Sequence, residues 1–325
     1  MGVVGAGALG FHHIRLLREL DGAVCSGFHD VDADRSARVS AELGVRAHAA
    51  LDDLLSASDA VCVVVPTGAH APVARRAIAK GLAVLVEKPL CSTVEEADAM
   101  LGEARAAGVV LQTGHIERFN RAVRAALPHI DRPRFISSDR LAPFNPRGSE
   151  VAVVLDLMIH DIDLVLTLLG AAVQDVQAVG VPVLTPSVDI ANARMTFASG
   201  AVATITASRV SREKMRKLRI FQRSGYLSLD LAAGTGEYFR LRPGLDIAAV
   251  AAGPLPLEAF VEHVPLAAPD GEPLRLELQA FVDAVRGRGP MVVSGEDGRD
   301  ALAVALRIMQ AISASMAPAQ GQSGA

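Results

Sequence analysis

Three glycines near the start of the chain restrict its fold more than any other feature. They occupy positions 5, 7 and 10, after a short apolar run at residues 1–4 and before a helix predicted over residues 11–20. In this order the first glycine permits a tight turn, the second lets a pyrophosphate approach the backbone, and the third lets helix and strand pack closely. The N-terminus of the helix then faces the phosphates. The pattern predicts a dinucleotide-binding turn whose contacts come from Gly5, Gly7, Ala8, Leu9 and Gly10.

A carboxylate follows at the distance that this kind of turn requires. A second strand is predicted at residues 23–28, and Asp30 follows it two residues later, about twenty residues beyond the glycines. There a carboxylate accepts a hydrogen bond from the adenosine ribose and repels a 2′-phosphate, so Asp30 predicts NAD as the cofactor. Arg35 argues in the other direction, because a nearby arginine can accommodate a 2′-phosphate. The alternative for Asp30 is an ordinary turn residue.

Apolar, largely β-branched runs then alternate with helical segments as far as residue 118. Strands are predicted at residues 45–47, 60–65, 82–86 and 109–112, and helices at 33–43, 51–56, 72–80 and 92–107. Such runs are typical of a doubly wound parallel sheet buried on both faces, which binds ligands at the carboxyl ends of its strands. Loops leaving those ends are therefore predicted to contact the cofactor through Pro66, Thr67, His70, Glu87 and Lys88.

Composition excludes several classes of function. The net charge is −4 with no basic block, which argues against nucleic acid, and residues 209–219, the one basic cluster, are interpreted as a solvated strand or loop edge. Aromatic residues are only 4%, which argues against stacking platforms. Three cysteines without metal spacing fit a reducing compartment, and we expect neither a signal peptide nor a membrane span. The composition predicts a cytoplasmic protein with a small-molecule ligand and no nucleic acid or membrane partner.

The pattern changes in the second half of the chain. Consecutive strands predicted between residues 135 and 231 are joined by short turns, which indicates a largely antiparallel sheet with a helix on one face. The fold class is therefore α/β, with a Rossmann domain and an α+β domain that carries this open-faced sheet. We assign residues 1–118 to nucleotide binding, 119–272 to the substrate and oligomerisation domain, 273–316 to C-terminal helices and 317–325 to a disordered tail.

Asp156 and His160 interrupt an apolar run at residues 151–169. Four positions apart on a helix, their side chains are neighbours, so the carboxylate can orient the imidazole and support its charge. Such a pair suits acid–base catalysis. The alternative is a packed core histidine beside a buried cap.

Three motifs in register resemble the Gfo/Idh/MocA oxidoreductase family: the glycines at 5, 7 and 10, Glu87-Lys88-Pro89, and the Asp156/His160 pair. The resemblance covers the whole chain. It implies NAD-dependent hydride transfer from a secondary hydroxyl, with Lys88, Asp156 and His160 as catalytic residues and either Lys88 or His160 as the base. It also implies that the C-terminal helices return to the first domain, and that a second subunit of a homodimer or homotetramer covers the open sheet face.

Residues 114–120, 140–144 and 155–163 resemble a narrower group within the family that acts on sugar nucleotides, although Asn120 is followed here by Arg121 where relatives commonly have proline. A diphosphate requires cations, and arginine suits its oxygens. Asp163 is a candidate for a sugar hydroxyl. No metal site is expected, because His12 and His13 lack partners at ligand spacing. The alternatives are a dehydrogenase of a free sugar or inositol, and a regulator that binds NAD without turning it over. The candidates for the diphosphate are Arg118, Arg140, Arg147 and Arg212.

Overall fold

The chain divides into two compact units. The computed structural model describes residues 1–146, 151–242, 244 and 259–316. The first unit holds Met1–Phe119 and Gly271–Ala303, and the second holds Asn120–Asp270 and the residues from Val304 onward. Among the helices of the described ranges, none combines the length and the apolar character needed to cross a membrane.

The first unit contains a parallel sheet of five strands. In chain order they are β1 (Gly2–Val4), β2 (Gly27–His29), β3 (Ala60–Val63), β4 (Ala83–Glu87) and β5 (Leu111–Gly114). Their order across the sheet is β2-β1-β3-β4-β5, and every neighbouring pair is parallel. The order reverses between β1 and β3, which is where doubly wound sheets bind their ligands. The predicted doubly wound fold is confirmed.

Helices alternate with these strands. They are α1 (Ala8–Leu17), α2 (Ala33–Leu43), α3 (Leu51–Ser56), α4 (His70–Ala79) and α5 (Val94–Ala107). Local sequence explains their ends: Asp32 and Thr93 accept hydrogen bonds from backbone amides in the first turns of α2 and α5, and Gly44 and Gly108 end the same helices in the left-handed conformation.

One predicted strand, at residues 45–47, is wrong. The segment makes a single parallel bridge, between Ala47 and Phe28, and is not a sixth strand. The pairing rests on two backbone hydrogen bonds of Phe28, whose N–H donates to the carbonyl oxygen of Arg46 and whose carbonyl oxygen accepts from the N–H of His48. Because β2 is only three residues long, this pairing does not extend into a strand. Residues 23–26, predicted as the start of β2, also lie outside the strand.

The second unit is built on a sheet of eight strands that is mostly antiparallel. Across the sheet their order is β13-β12-β11-β10-β6-β9-β8-β7, and only β6 and β9 are parallel neighbours. The predicted open sheet of the α+β domain is confirmed. The strands are β6 (Phe135–Leu141), β7 (Val173–Val181), β8 (Ile190–Phe197), β9 (Val202–Ser208), β10 (Met215–Gln222), β11 (Gly225–Asp230), β12 (Thr235–Leu241) and β13 (Val261–Leu266).

Alternation along the central strands separates two faces of this sheet. In β6, Ile136, Ser138 and Arg140 are buried while the residues between them are half-exposed. Helices α6 (Arg121–Ala126) and α7 (Ile159–Leu169) belong to this unit, and α7 packs against β6 and β9. The inner face of the sheet therefore forms the core of this unit beneath α7.

The interpretation of the basic cluster as a solvated edge is wrong for its first residue. Arg209 is only 4% exposed and its Nε donates to Asp189 Oδ1 at 2.8 Å. Its remaining nitrogens donate to the carbonyl oxygens of Val151 and Val188. A buried carboxylate supplies the countercharge that solvent would otherwise provide.

The last two helices are α8 (Pro273–Val285) and α9 (Gly295–Met316). Within the first unit α8 packs against α1, and its residues Leu274, Leu278 and Phe281 join the same hydrophobic cluster as Val3 and Phe28. The predicted tail at 317–325 lies outside the described residues.

Candidate active site

The glycine-rich turn leaves open space where a phosphate would bind. A Cβ on Gly5, whose φ is +97°, would lie 2.3 Å from the carbonyl oxygen of Val64, and one on Gly10 would lie 2.1 Å from the carbonyl oxygen of Gly5. A Cβ on Gly7 would meet no atom within 4 Å. Helix α1 begins at the next residue, Ala8, so the space lies at a helix N-terminus, where backbone amides and the helix dipole favour an anion. The turn fits the pyrophosphate of a dinucleotide.

Ala8 and Leu9 are both exposed at the start of α1, and Leu9 has 42% of its surface accessible. The position matches the predicted contact with the cofactor, which stays a prediction for these two residues.

Asp30 is tied to the turn. Its carboxylate accepts hydrogen bonds from the backbone N–H of Ala6 at 2.6 Å and of Asp32 at 2.8 Å, and pairs with the guanidinium of Arg35 at 3.1 Å. Burial acts to raise the pKa of Asp30, but the amides of Asp32 and Ala6 and the Arg35 guanidinium outweigh burial and hold the pKa below its usual value. The carboxylate is therefore held in its ionised form, and its contact with the ribose stays a prediction.

Replacing Asp30 by alanine should weaken NADH binding and narrow the preference for NADH over NADPH. The substitution removes the carboxylate that repels a 2′-phosphate and frees part of the Arg35 guanidinium to meet one. Fluorescence titration with both reduced cofactors measures the two affinities, and we expect their ratio to move by about tenfold, which is 1.4 kcal/mol. Asp34→Ala, at an exposed acid in the first turn of α2, is the control, since it leaves Asp30 and the pairing of Arg35 with Asp30 and Asp32 in place. An unchanged ratio in Asp30→Ala would mean that Asp30 is only a turn residue.

Two loops leave the carboxyl ends of the neighbouring strands β3 and β4. The first contains Pro66 and a 3-10 turn, Thr67–Ala69, and the second is Glu87-Lys88-Pro89, in which the Lys88–Pro89 peptide bond is cis. His70 follows the first loop and is 1% exposed. Its Nδ1 contacts the carbonyl oxygen of Pro89 and its Nε2 that of Val65, both at 2.8 Å. Both ring nitrogens therefore face the backbone.

Glu87 is held beneath Lys88 by a residue to which the sequence assigned no role. His13, on α1, is fully buried, and its Nε2 lies 2.9 Å from Glu87 Oε1, while the Lys88 N–H donates to Glu87 Oε2. Burial would raise the pKa of Glu87, but the hydrogen bond and charge of His13 and the charge of Lys88 lower it. The available signal was the position of His13 three residues after Gly10, which turns its side chain toward the sheet.

Asp156 and His160 lie where a π-helical turn, Val154–Met158, passes into α7. Both side chains are partly exposed, whereas Met158 and Ile159 between them are fully buried. Such π-helical turns often occur at functional sites. The exposure separates this pair from the core and favours the acid–base interpretation over a packed core histidine.

The predicted substrate residues lie in more buried surroundings. Arg140 Nε pairs with Asp161 at 2.6 Å, and both side chains are at most 3% exposed. Arg118 pairs with Asp297 at 3.1 Å, and Asp163 is 1% exposed. Arg212 is exposed and Arg147 lies outside the described residues. Substrate binding by these residues stays a prediction.

No group of three or more histidine, cysteine, aspartate or glutamate side chains is placed to hold a metal ion in the ranges that the structure describes. The three cysteines are free thiols.

A five-stranded parallel sheet, a glycine-rich turn at a helix N-terminus and an acid after β2 define the class of Rossmann-type dinucleotide-binding domains. Residues 1–115 match the family model described as "Oxidoreductase family, NAD-binding Rossmann fold", and residues 123–228 match "GFO/IDH/MocA C-terminal domain". The chain belongs to the Gfo/Idh/MocA family, and it is an NAD-dependent dehydrogenase. The predicted family and cofactor are confirmed.

Relatives span the length of the chain. UDP-N-acetylglucosamine 3-dehydrogenase of Acidithiobacillus ferrooxidans is 40% identical over 316 residues, 96% of this chain and 97% of the relative. Its crystal structure matches with a TM-score of 0.88 over 96% of this chain and 97% of that one, at 38% identity. Myo-inositol 2-dehydrogenase of Thermotoga maritima is 28% identical, over 93% of this chain and 92% of the relative.

Proposed function

We propose that the protein oxidises the 3-hydroxyl of UDP-N-acetylglucosamine to a ketone and transfers the hydride to NAD. The observation that supports this choice of substrate is the 40% identity to the Acidithiobacillus enzyme over almost the whole of both chains. The inositol dehydrogenase of Thermotoga maritima matches a similar length at 28% identity. A sugar nucleotide is therefore favoured over an inositol as the substrate.

The proposed chemistry gives each polar residue a separate task. Oxidation of a secondary alcohol needs a base for the hydroxyl proton and a polar group that supports the developing alkoxide. Bound NAD supplies the nicotinamide that accepts the hydride. His160 acts as the base, Asp156 orients it and stabilises the imidazolium that forms, and Lys88 donates a hydrogen bond to the reacting oxygen. The roles of Lys88 and His160 exchange if the amine is the base.

The remaining parts of this proposal concern recognition. The nicotinamide half of the cofactor contacts the loop after β3, through Pro66 and Thr67, and the loop after β4, through Glu87 and Lys88. The candidates for the diphosphate are Arg118, Arg147 and Arg212. Arg140 is buried and paired with Asp161, and Asp163 is 1% exposed, so we expect these two residues to support the site from within the unit and not to contact the substrate directly. Guanidinium groups pair with phosphate oxygens in bidentate geometry, which a lysine cannot reproduce.

The test of the proposal is NADH formation, followed by absorbance, with NAD and UDP-N-acetylglucosamine. An aminotransferase and an amino donor remove the ketone, since alcohol oxidation by NAD is unfavourable near neutral pH. Absorbance growth with the UDP-sugar is the expected result. Turnover of inositols or free sugars alone would assign the protein to the inositol dehydrogenase branch, and NADH binding without any turnover would make it a regulator.

A ketone on a sugar nucleotide is the electrophile that a pyridoxal phosphate aminotransferase accepts. We therefore place the reaction in the cytoplasm, immediately before an amination, in lipid A biosynthesis.

We further propose that the outer face of the eight-stranded sheet binds a second copy of the chain. Five rings stand opposite one another across β6, β10, β11, β12 and β13, with centroid distances of 4.7–5.6 Å. On the same face Val179 and Val181 are 59% and 52% exposed. An apolar and aromatic surface of this kind is typical of subunit interfaces. The rings are those of Phe135, Phe221, Tyr226, Phe239 and His263.

Light scattering on a size-exclusion column should find a dimer or tetramer, and Phe221→Arg should dissociate it. An arginine in the middle of the row of rings would lose its hydration when the subunits associate. We therefore expect the dissociation constant of the oligomer to rise by at least about 30-fold, which corresponds to the loss of about 2 kcal/mol at one interface residue. Val292→Arg, an exposed apolar position in the first unit, is the control and should leave the oligomer intact. A wild-type monomer at micromolar concentration would contradict this proposal.

A further inference from the structure

His70 makes two contacts that a neutral histidine cannot satisfy together. Both of its ring nitrogens lie 2.8 Å from backbone carbonyl oxygens, those of Pro89 and Val65. A carbonyl oxygen is only an acceptor, and a neutral imidazole carries one N–H and one lone pair. In the neutral ring one of the two contacts therefore places a nitrogen lone pair against an oxygen lone pair. Both contacts are hydrogen bonds only when the ring is an imidazolium.

The two carbonyl groups belong to different loops of the cofactor-binding edge. Val65 lies directly before Pro66 and Thr67, in the loop after β3. Pro89 lies directly after Lys88, in the loop after β4. His70, at the first position of α4, is the side chain that joins these two loops. Its ring is 1% exposed, so water does not compete for the contacts.

The charges around the ring act in opposite directions. Burial lowers the pKa of His70, and the hydrogen bonds to Pro89 and Val65 and the charge of Glu87 oppose this effect without cancelling it. Glu87 is paired with His13 on its other side. Lys88 adjoins Pro89, so its ammonium is a further charge on the same loop. The charged side chains of α4 itself, Arg75 and Arg76, are paired at the surface with Glu103 and Asp52.

We propose that His70 is a positioning residue which, as an imidazolium, ties the loop after β3 to the Lys88–Pro89 loop and so fixes Lys88 relative to Pro66 and Thr67. Loss of the proton releases one of the two loops. The inference rests on the proposed role of Lys88 in the reaction. The activity then depends on the protonation of His70, below the usual pKa of a histidine. His70 affects the reaction by positioning the two loops and exchanges no proton with the substrate.

Two substitutions separate the two links. The amide nitrogen of asparagine occupies nearly the place of Nδ1, so His70→Asn can keep the hydrogen bond to Pro89. The amide nitrogen of glutamine occupies nearly the place of Nε2, so His70→Gln can keep the hydrogen bond to Val65. Each variant keeps one link and loses the other, so we expect both to lower kcat. The loss should be larger in His70→Gln, about 10- to 100-fold, because the link that it loses holds Pro89, next to Lys88, and a misplacement near 1 Å has a cost of this size.

The pH profile supplies the readout that a merely structural role would not change. Because burial lowers the pKa of His70 from the ordinary histidine value of 6.5, the wild-type enzyme should show an ionisation below pH 6.5 in kcat. His70→Asn should lack this ionisation. Thermal unfolding of both variants controls for folding. Equal kcat in the asparagine and glutamine variants, with an unchanged pH profile, would overturn the proposal.

Nitrogen NMR of histidine-labelled protein tests the protonation state without any substrate, with the His70 signals assigned by their absence in His70→Asn. We expect both ring nitrogens to carry protons at the acid end of the titration and one to lose its proton as pH rises. A ring with a single N–H throughout would overturn the proposal, whichever substrate the enzyme turns over. Absence of turnover with a ring that titrates as expected would instead contradict the proposed function.

Discussion

Replacing His160 by asparagine should lower kcat for sugar oxidation by about 10²- to 10⁴-fold, the usual contribution of a positioned general base. The affinity for NADH should stay near that of the wild-type protein, because the residue lies on α7 in the second unit and the glycine-rich turn lies in the first. Steady-state kinetics and fluorescence titration measure the two quantities. A kcat within about threefold of wild type would remove His160 from the mechanism.

Lys88→Met is the companion substitution, and Lys80→Met, at an exposed lysine paired with Asp52, is its control. Loss of a hydrogen bond to a developing alkoxide should lower kcat by about 10²- to 10³-fold. The double variant should lose much less than the product of the two single effects if both groups serve one hydroxyl. The variant that removes the acid limb of the kcat/KM profile identifies the base.

Alanine substitutions at Gly10 and Gly7 should have large and different effects on stability and on NADH affinity. Gly10→Ala should lower the free energy of unfolding by about 1–3 kcal/mol, the usual cost of forcing extra atoms into a packed site. Its Cβ would lie 2.1 Å from the carbonyl oxygen of Gly5, which is backbone and cannot move aside cheaply. Urea denaturation measures this loss.

Gly7→Ala should leave the free energy of unfolding unchanged and lower the affinity for NADH. Its Cβ meets no protein atom within 4 Å, so stability should be unchanged, but the methyl group occupies the space in which the pyrophosphate approaches the backbone. We expect NADH affinity to fall by about 10- to 100-fold, or 1.4–2.7 kcal/mol. Full NADH affinity in Gly7→Ala would place the phosphates elsewhere.

The first unit follows closely from its sequence because its strands are continuous apolar runs and its turns depend on glycine. Gly5, Gly10 and Gly44 hold positions that a side chain would clash with or strain, and such positions can be read from residue type alone. The strand predicted at 45–47 was wrong because a propensity says nothing about how many residues of β2 are available for pairing.

Polar side chains were harder to place from the sequence. Arg209 looked solvated, but its countercharge, Asp189, is twenty positions away, and Glu87 is paired with His13 across 74 positions. The spacing of Asp156 and His160 predicted one helical face, yet hydrophobic periodicity could not reveal the π-helical turn before α7. Burial and pairing of charged groups depend on contacts distant in sequence, which patterns along the chain do not encode.

The most direct test of the account is to follow a deuterium atom from C3 of UDP-N-acetylglucosamine. Mass spectrometry of the reduced cofactor after a single turnover should find the label in the cofactor, and the 3-keto sugar should have lost it. Deuterium that stays on the sugar while NADH forms would contradict oxidation at C3, and the absence of any reduced cofactor with this sugar nucleotide would contradict the substrate itself.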